Sequence, residues 1–130
     1  VAKRSTAQRI ADIYTNVEAA RHYVDATAGA LQLTEIRETF ELSRTELSHL
    51  LRRRAATIAK WEHRGIPRER QASVETLVDL ARLFRARLIP SRIPEIVRTP
   101  DDWLGGRTML QTLAQDGVDP IYAYLARLFR

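Results

Sequence analysis

Chemically reactive residues are few in this 130-residue chain: three histidines, one adjacent aspartate pair and no cysteine. His22, His49 and His63 do not stand at the H-E-x-x-H spacing that puts two imidazoles on one helical face, and no second cluster of ligands accompanies them. Without cysteine there is no disulfide framework, no thiolate zinc site and no thiol nucleophile. Asp101 and Asp102 are a carboxylate pair, but adjacent carboxylates before a helix ordinarily cap its N–H groups. A G-x-S-x-G elbow, a glycine-rich phosphate loop and a dinucleotide fingerprint are all missing. The expectation is a chain with no catalytic residues, no metal and no cofactor.

What remains is charge, and it is localised. The formal net charge is +5. Val1 to Leu42 carries 5 basic and 6 acidic residues, and Ala72 to Arg130 carries 8 and 7. Ser43 to Gln71 carries 8 basic and 3 acidic residues, so the whole excess lies there. A concentrated positive segment is the electrostatic footprint of a surface that meets a polyanion.

The elements that must position these charges read as helices, and no strand pattern appears. Ile10, Ile13, Val17, Ala20 and Val24 alternate at spacings of three and four, which predicts an amphipathic helix from Ser5 to Thr27. Gly29 reads as its stop, and Thr34 as the cap of a second helix ending near Glu41. Ser43 followed by Glu46 is a capping box. It starts a helix whose inward face is Leu47, Leu50 and Leu51. A further helix from Arg54 buries Ile58 and Trp61 and ends at Gly65 and Pro67. Val74, Leu77, Leu80, Ala81, Phe84 and Leu88 define a long amphipathic helix. Past the loops around Pro90, Pro100 and Gly105-Gly106, short helices are expected from Thr108 to Ala114 and from Asp119 onward, where Asp caps and Pro takes the first helical position. In the last helix, Ile121, Leu125 and Leu128 are expected to face inward. No window suits a transmembrane span and Val1-Ala2-Lys3-Arg4 has no apolar run behind it, so a cytoplasmic protein is expected.

Two short helices with a tight turn, from Ser43 to Arg64, have the dimensions of a helix-turn-helix, whose second helix enters the major groove. The outward set would be Arg54, Ala55, Ala56, Thr57, Lys60 and Arg64. Arg grips guanine bidentately, small side chains meet thymine methyl groups, and Lys and Arg hold phosphates. Arg52 and Arg53 lie in the turn, where phosphate contact is the expected role. The same segment wraps its charge around a buried Trp, which does not suit a membrane-surface helix.

Leu42-Ser43, Leu47, Leu50-Leu51, Ile58-Ala59-Lys60-Trp61 and Gly65-Ile66-Pro67 together resemble the Xre-like helix-turn-helix of the Xre/MbcA/ParS antitoxins of RES-Xre toxin-antitoxin systems. Downstream, Thr99-Pro100, Leu104-Gly105-Gly106-Arg107-Thr108, Leu113, Asp116-Gly117 and an aromatic-aliphatic last helix resemble that family's toxin-binding domain. The resemblance implies an all-α fold: an N-terminal helical extension (residues 1–30), a helix-turn-helix DNA-binding domain (31–71) and a C-terminal helical toxin-binding domain (72–130). It implies an antitoxin that covers the active site of a RES-domain, NAD-consuming toxin and represses its own operon. The DNA-contacting residues would be Arg52, Arg53, Arg54, Thr57, Lys60 and Arg64. The toxin-contacting residues would be Arg107, Tyr122, Tyr124, Arg127 and Arg130. A homodimer is expected, since two-fold symmetry matches a palindromic operator. The N-terminal stripe has the period of a short coiled-coil seam; it would pack on the chain's own core, or serve as a dimer contact through Ile10, Ile13, Val17 and Val24, or as an extra toxin contact. The rival reading is a stand-alone helix-turn-helix regulator whose C-terminal domain dimerises or senses a ligand.

Overall fold

The computed structural model describes residues 5–129, without the side chains of residues 14 and 15. The described chain is all-helical, with one isolated backbone bridge between Asp101 and Arg107 in place of any strand. None of its helices is long and apolar enough to cross a membrane.

The first helix, α1, spans Thr6–Phe40, 35 residues without a break. At 1.5 Å per residue it is about 52 Å long. Ser5 caps it by accepting from the Gln8 N–H, and Glu41 closes it in the left-handed conformation at φ 51°. The expected stop at Gly29 and restart at Thr34 are therefore corrected: both lie inside one helix. The reason is tertiary. Gly29 is buried, and a Cβ there would sit 3.3 Å from the Ile66 backbone nitrogen and side chain. The missing side chain lets the chain after the third helix approach closely, which outweighs the ~1 kcal/mol that glycine costs a helix interior.

The capping box at Ser43 forms as expected and opens α2 (Arg44–Leu51). A three-residue turn leads to α3 (Ala55–Arg64). A 3₁₀ turn at Arg68–Arg70 leads into α4 (Gln71–Arg87), and another at Pro90–Arg92 into α5 (Ile93–Ile96). A third at Asp102–Leu104 precedes α6 (Met109–Asp116) and α7 (Asp119–Leu128). A second capping box, Thr108 with Gln111, starts α6.

One hydrophobic core draws on all seven α-helices of the described chain. The second half of α1 packs against α3 and α4, α2 against α3 and α6, and α6 against α7. Leu33, Ile36, Phe40, Leu47, Ile58, Val74, Leu80, Ile93 and Ile121 are fully buried in a continuous cluster that reaches Leu125. Phe40 and Phe84 meet edge-to-face at 5.2 Å. Each such side chain contributes roughly 1.5–3 kcal/mol through burial. The cluster begins at Leu33 and runs across the expected boundary at 71/72 without interruption.

Charged side chains tie the core's edges. Arg98 donates from Nη1 to the carbonyls of Phe40 (2.8 Å) and Pro94 (2.9 Å), and from Nη2 to the carbonyl of Glu41 (2.7 Å) and Glu46 Oε2 (3.2 Å). This one side chain fixes the end of α1, the start of α2 and α5 together. Glu35 on α1 pairs with Arg82 (3.0 Å) and Arg85 of α4. The Arg82 hydrogen bond holds its carboxyl below the usual range. Glu62 of α3 joins Arg44 of α2 at 2.9 Å and Arg37 of α1 at 3.6 Å. No buried side-chain N or O atom among the described residues lacks a hydrogen bond.

Candidate nucleic-acid and partner-binding surfaces

The geometry of the basic surface starts from the caps. The Ser43 hydroxyl accepts from the Glu46 N–H (3.0 Å) while the Glu46 carboxylate accepts from the Ser43 N–H (3.0 Å), so two orphan donors are satisfied. That backbone hydrogen bond holds the Glu46 carboxyl below its ordinary value. At its other end α2 closes on Arg52, which takes a left-handed φ of 54°. The Arg53 N–H returns to the Ser48 carbonyl at 2.9 Å, and the Arg54 carbonyl accepts from Thr57 and Ile58 to start α3. Inward, Ile58 is fully buried and Trp61 is 5% exposed, as expected. Their positions fix the rotation of α3, which leaves Arg54, Ala56, Lys60 and Arg64 exposed and Thr57 half-buried.

The six expected DNA-contacting residues divide. Arg52 turns towards its own chain: Nε donates to the Ala114 carbonyl (3.1 Å) and Nη2 to the Gln115 carbonyl (2.8 Å). Those carbonyls end α6, where a helix carries partial negative charge, so the contact is favourable twice over. The Arg53 guanidinium donates to the Arg52 carbonyl (3.0 Å), bracing the turn. Arg54, Lys60 and Arg64 make no side-chain hydrogen bond or ion pair among the described residues. Of these, Arg54 lines an open concavity of about 800 Å³ together with Ser48, His49, Arg52, Arg53 and Thr57. Arg68 and Arg70 extend the exposed cations along the chain. Arg44 is engaged by Glu62.

The second surface centres on the 3₁₀ turn before Gly105 and Gly106, whose positive φ values of 73° and 80° match the expected glycine turn. Asp101 caps that turn by accepting from the Trp103 N–H at 2.8 Å, and its other oxygen accepts from the Tyr124 hydroxyl at 2.6 Å. The Tyr124 bond is the main reason its carboxyl is held low, and the same bond raises the Tyr124 phenol. The Trp103 and Tyr124 rings lie 5.4 Å apart, and the Arg127 guanidinium sits 5.6 Å from the centre of the Trp103 ring. Trp103 is nonetheless 44% exposed. Asp101, Asp102, Trp103, Tyr124, Arg127 and Leu128 line one open concavity. Trp, Tyr and Arg are the types that most often anchor protein interfaces.

The expected toxin-contacting residues divide as well. Tyr124 and Arg127 join this cluster. Tyr122, two positions from Tyr124, lies about 200° around the helix. It stands on the α4 side, where partial burial and Asp79 raise its phenol. Arg107 is held within the chain: it donates to the Leu104 carbonyl (3.2 Å), Gln115 Oε1 (2.6 Å) and Asp116 Oδ2 (2.6 Å). It clamps the glycine turn onto the end of α6. Arg130 lies outside the described residues. Leu128, expected inward with Ile121 and Leu125, is 53% exposed because α7 ends there. Trp103 was not among the expected contacts. Its signal was available: a lone Trp after a capping Asp, in a loop otherwise polar or glycine-rich, has no helical stripe to bury it.

Among the described residues no group of three or more His, Asp or Glu side chains is arranged to hold a metal ion. No protein-family model matches the chain, and no curated protein or solved structure is significantly similar to it.

Proposed function

We propose that this chain is an antitoxin that also represses its own operon. In this reading it binds operator DNA through the α2–turn–α3 surface, used as a helix-turn-helix. It neutralises a RES-domain, NAD-consuming toxin by laying the Trp103–Tyr124–Arg127 surface over the toxin's active site. The observation that carries the reading is the pairing of two different surfaces on one core. One presents Arg54, Lys60 and Arg64 around Thr57 with their charges uncompensated. The other presents an aromatic cluster in which the nearby carboxylate and guanidinium already satisfy each ring's polar atoms or face. The first suits a polyanion and the second suits a protein. The toxin's identity as a RES-domain enzyme comes from the likeness of the segments Leu33 to Phe129 to the Xre/MbcA/ParS antitoxins.

Two measurements test it. Co-purification with the product of the adjacent gene, followed by NAD depletion with and without this chain, tests neutralisation. Depletion that continues at a stoichiometric excess of the chain overturns the antitoxin half and leaves a stand-alone regulator. A mobility shift on the upstream DNA tests the other half. Binding should weaken steeply with salt through counterion release, and combined replacement of Arg54, Thr57 and Lys60 by Ala should abolish it. A shift unaffected by that triple change overturns the DNA assignment.

A further inference from the structure

The first twenty or so residues of α1 stand clear of the core and carry an apolar seam that nothing among the described residues covers. Ile10 is 48% exposed, Ile13 61%, Val17 50%, Val24 61% and Leu31 65%. With Ala20 and Thr27 between them, these positions alternate at three and four residues from Ile10 to Leu31. Thr27 has already committed its hydroxyl to the Tyr23 carbonyl at 2.8 Å, so its methyl is left for the seam. The core-facing residues of the same helix, Gly29, Leu33, Ile36 and Phe40, lie on the far side of the cylinder. At 100° per residue the two faces are about 180° apart. The seam therefore points away from the body formed by the described residues.

We infer that the seam is where a second copy of this chain packs, forming a two-stranded coiled coil between the α1 arms. The alternation is the 3.5-residue period of a coiled-coil seam. Ile10, Val17, Val24 and Leu31 fall at successive a positions, where two-stranded coils accommodate β-branched side chains. Ile13, Ala20 and Thr27 fall at d. From residue 6 to residue 28 the charged residues are Arg9, Asp12, Glu18, Arg21 and Asp25, one more acidic than basic. Two identical arms of that balance neither repel each other strongly nor attract DNA. A lipid surface is poorly matched, since it calls for a broad apolar face with a basic polar face. The seam itself holds none of the Trp or Arg anchors that a pocket on an unrelated protein would take.

The area is adequate. Seven seam positions with the stems of flanking residues, counted on both copies, remove on the order of 1,200–1,600 Å², which is the size of a stable specific interface. The pairing also accounts for the arm's helicity, because helices in proteins owe most of their stability to packing of an amphipathic face. It goes beyond the proposed function and does not depend on it.

Light scattering on the full chain, without DNA or any partner, tests the inference. At high micromolar concentration the mass should be twice the 14.9 kDa of a single chain. Val17→Asp with Val24→Asp should give the single-chain mass, while Val17→Ile with Val24→Ile should keep the doubled one. The thermal unfolding of the double aspartate variant, followed by the emission of Trp61 and Trp103, both outside the arm, shows whether the core survives. A wild-type chain of single mass at all concentrations overturns the inference, whether or not another protein binds the arm. So does a double aspartate variant that keeps both its core and the doubled mass, since the interface would then lie elsewhere.

Discussion

The two halves of α1 share one backbone and use opposite faces. From Gly29 to Phe40, the residues Gly29, Leu33, Ile36 and Phe40 face inward and are lost from water among α3 and α4, while Leu31 continues the outward stripe. From Ile10 to Val24 the apolar residues face outward, and each remains about half exposed or more. A helix whose apolar face changes sides along its length is doing two jobs, and each job can be read from the period and phase of its stripe. The second half belongs to a globular core. The first half has the narrow, regular stripe of a seam that awaits a partner.

The largest expected effect separates the halves directly. Phe40→Ala removes one partner of the edge-to-face pair with Phe84 and opens a cavity, so stability should fall by about 3–5 kcal/mol in denaturant unfolding. Ile13→Ala in the arm should change the unfolding of the monomeric core by less than about 0.5 kcal/mol. Equal losses at the two positions would erase the contrast.

Next in size is the junction where the halves meet the chain after α3. Gly65 has φ 92°, and a Cβ there would lie 3.4 Å from the Ala26 backbone. Gly65→Ala should cost about 1–3 kcal/mol of stability from the left-handed backbone. A melting temperature equal to the parent's would show that the turn does not need glycine's backbone freedom.

Neighbouring arginines extend the comparison to the basic surface. Arg52→Ala loses two hydrogen bonds to the end of α6, so it should lower stability by about 1 kcal/mol. Arg54→Ala, with no such bonds to lose, should leave stability unchanged and, on the proposed reading, weaken DNA binding, with the salt slope reduced by about one if it holds a phosphate. The reverse pattern would exchange their roles.

The smallest effect is pH-dependent. Glu35, Glu46 and Asp101 are all held below their ordinary values by hydrogen bonds, with Arg82 first for Glu35, the Ser43 backbone for Glu46 and Tyr124 for Asp101. A depressed carboxyl adds stability above its unfolded value, and that stability is lost as pH falls through the folded one. The denaturant midpoint should therefore decline below about pH 4.5, and Glu35→Gln should flatten the decline.

Local chemistry made much of this fold legible. The capping box at Ser43, the inward Ile58 and Trp61, the glycine turn at Gly105-Gly106 and the helical character of every segment follow from interactions within a few residues. What the sequence left hidden shares one cause. Gly29 has the composition of a helix stop, and only its approach to Ile66, far along the chain, explains why the helix continues. Arg52 and Arg107 sit where exposed cations are expected, but their partners at Ala114 and Gln115, and at Gln115 and Asp116, become neighbours only after α6 has docked. Trp103 gains Tyr124 and Arg127 from a helix twenty residues further on. Periodicity locates a face, but it does not say which surface will meet it.

Because α1 passes Gly29 without a hinge, the arm is indexed to the body like a key to its shaft. One residue inserted between Val24 and Gly29 would rotate the seam by about 100° and advance it by about 1.5 Å. Seven would return it close to its original bearing, about 10.5 Å further out. The arm should thus tolerate growth or shortening only in whole heptads. A length series of that kind would read, from assembly alone, how rigidly the shaft is held.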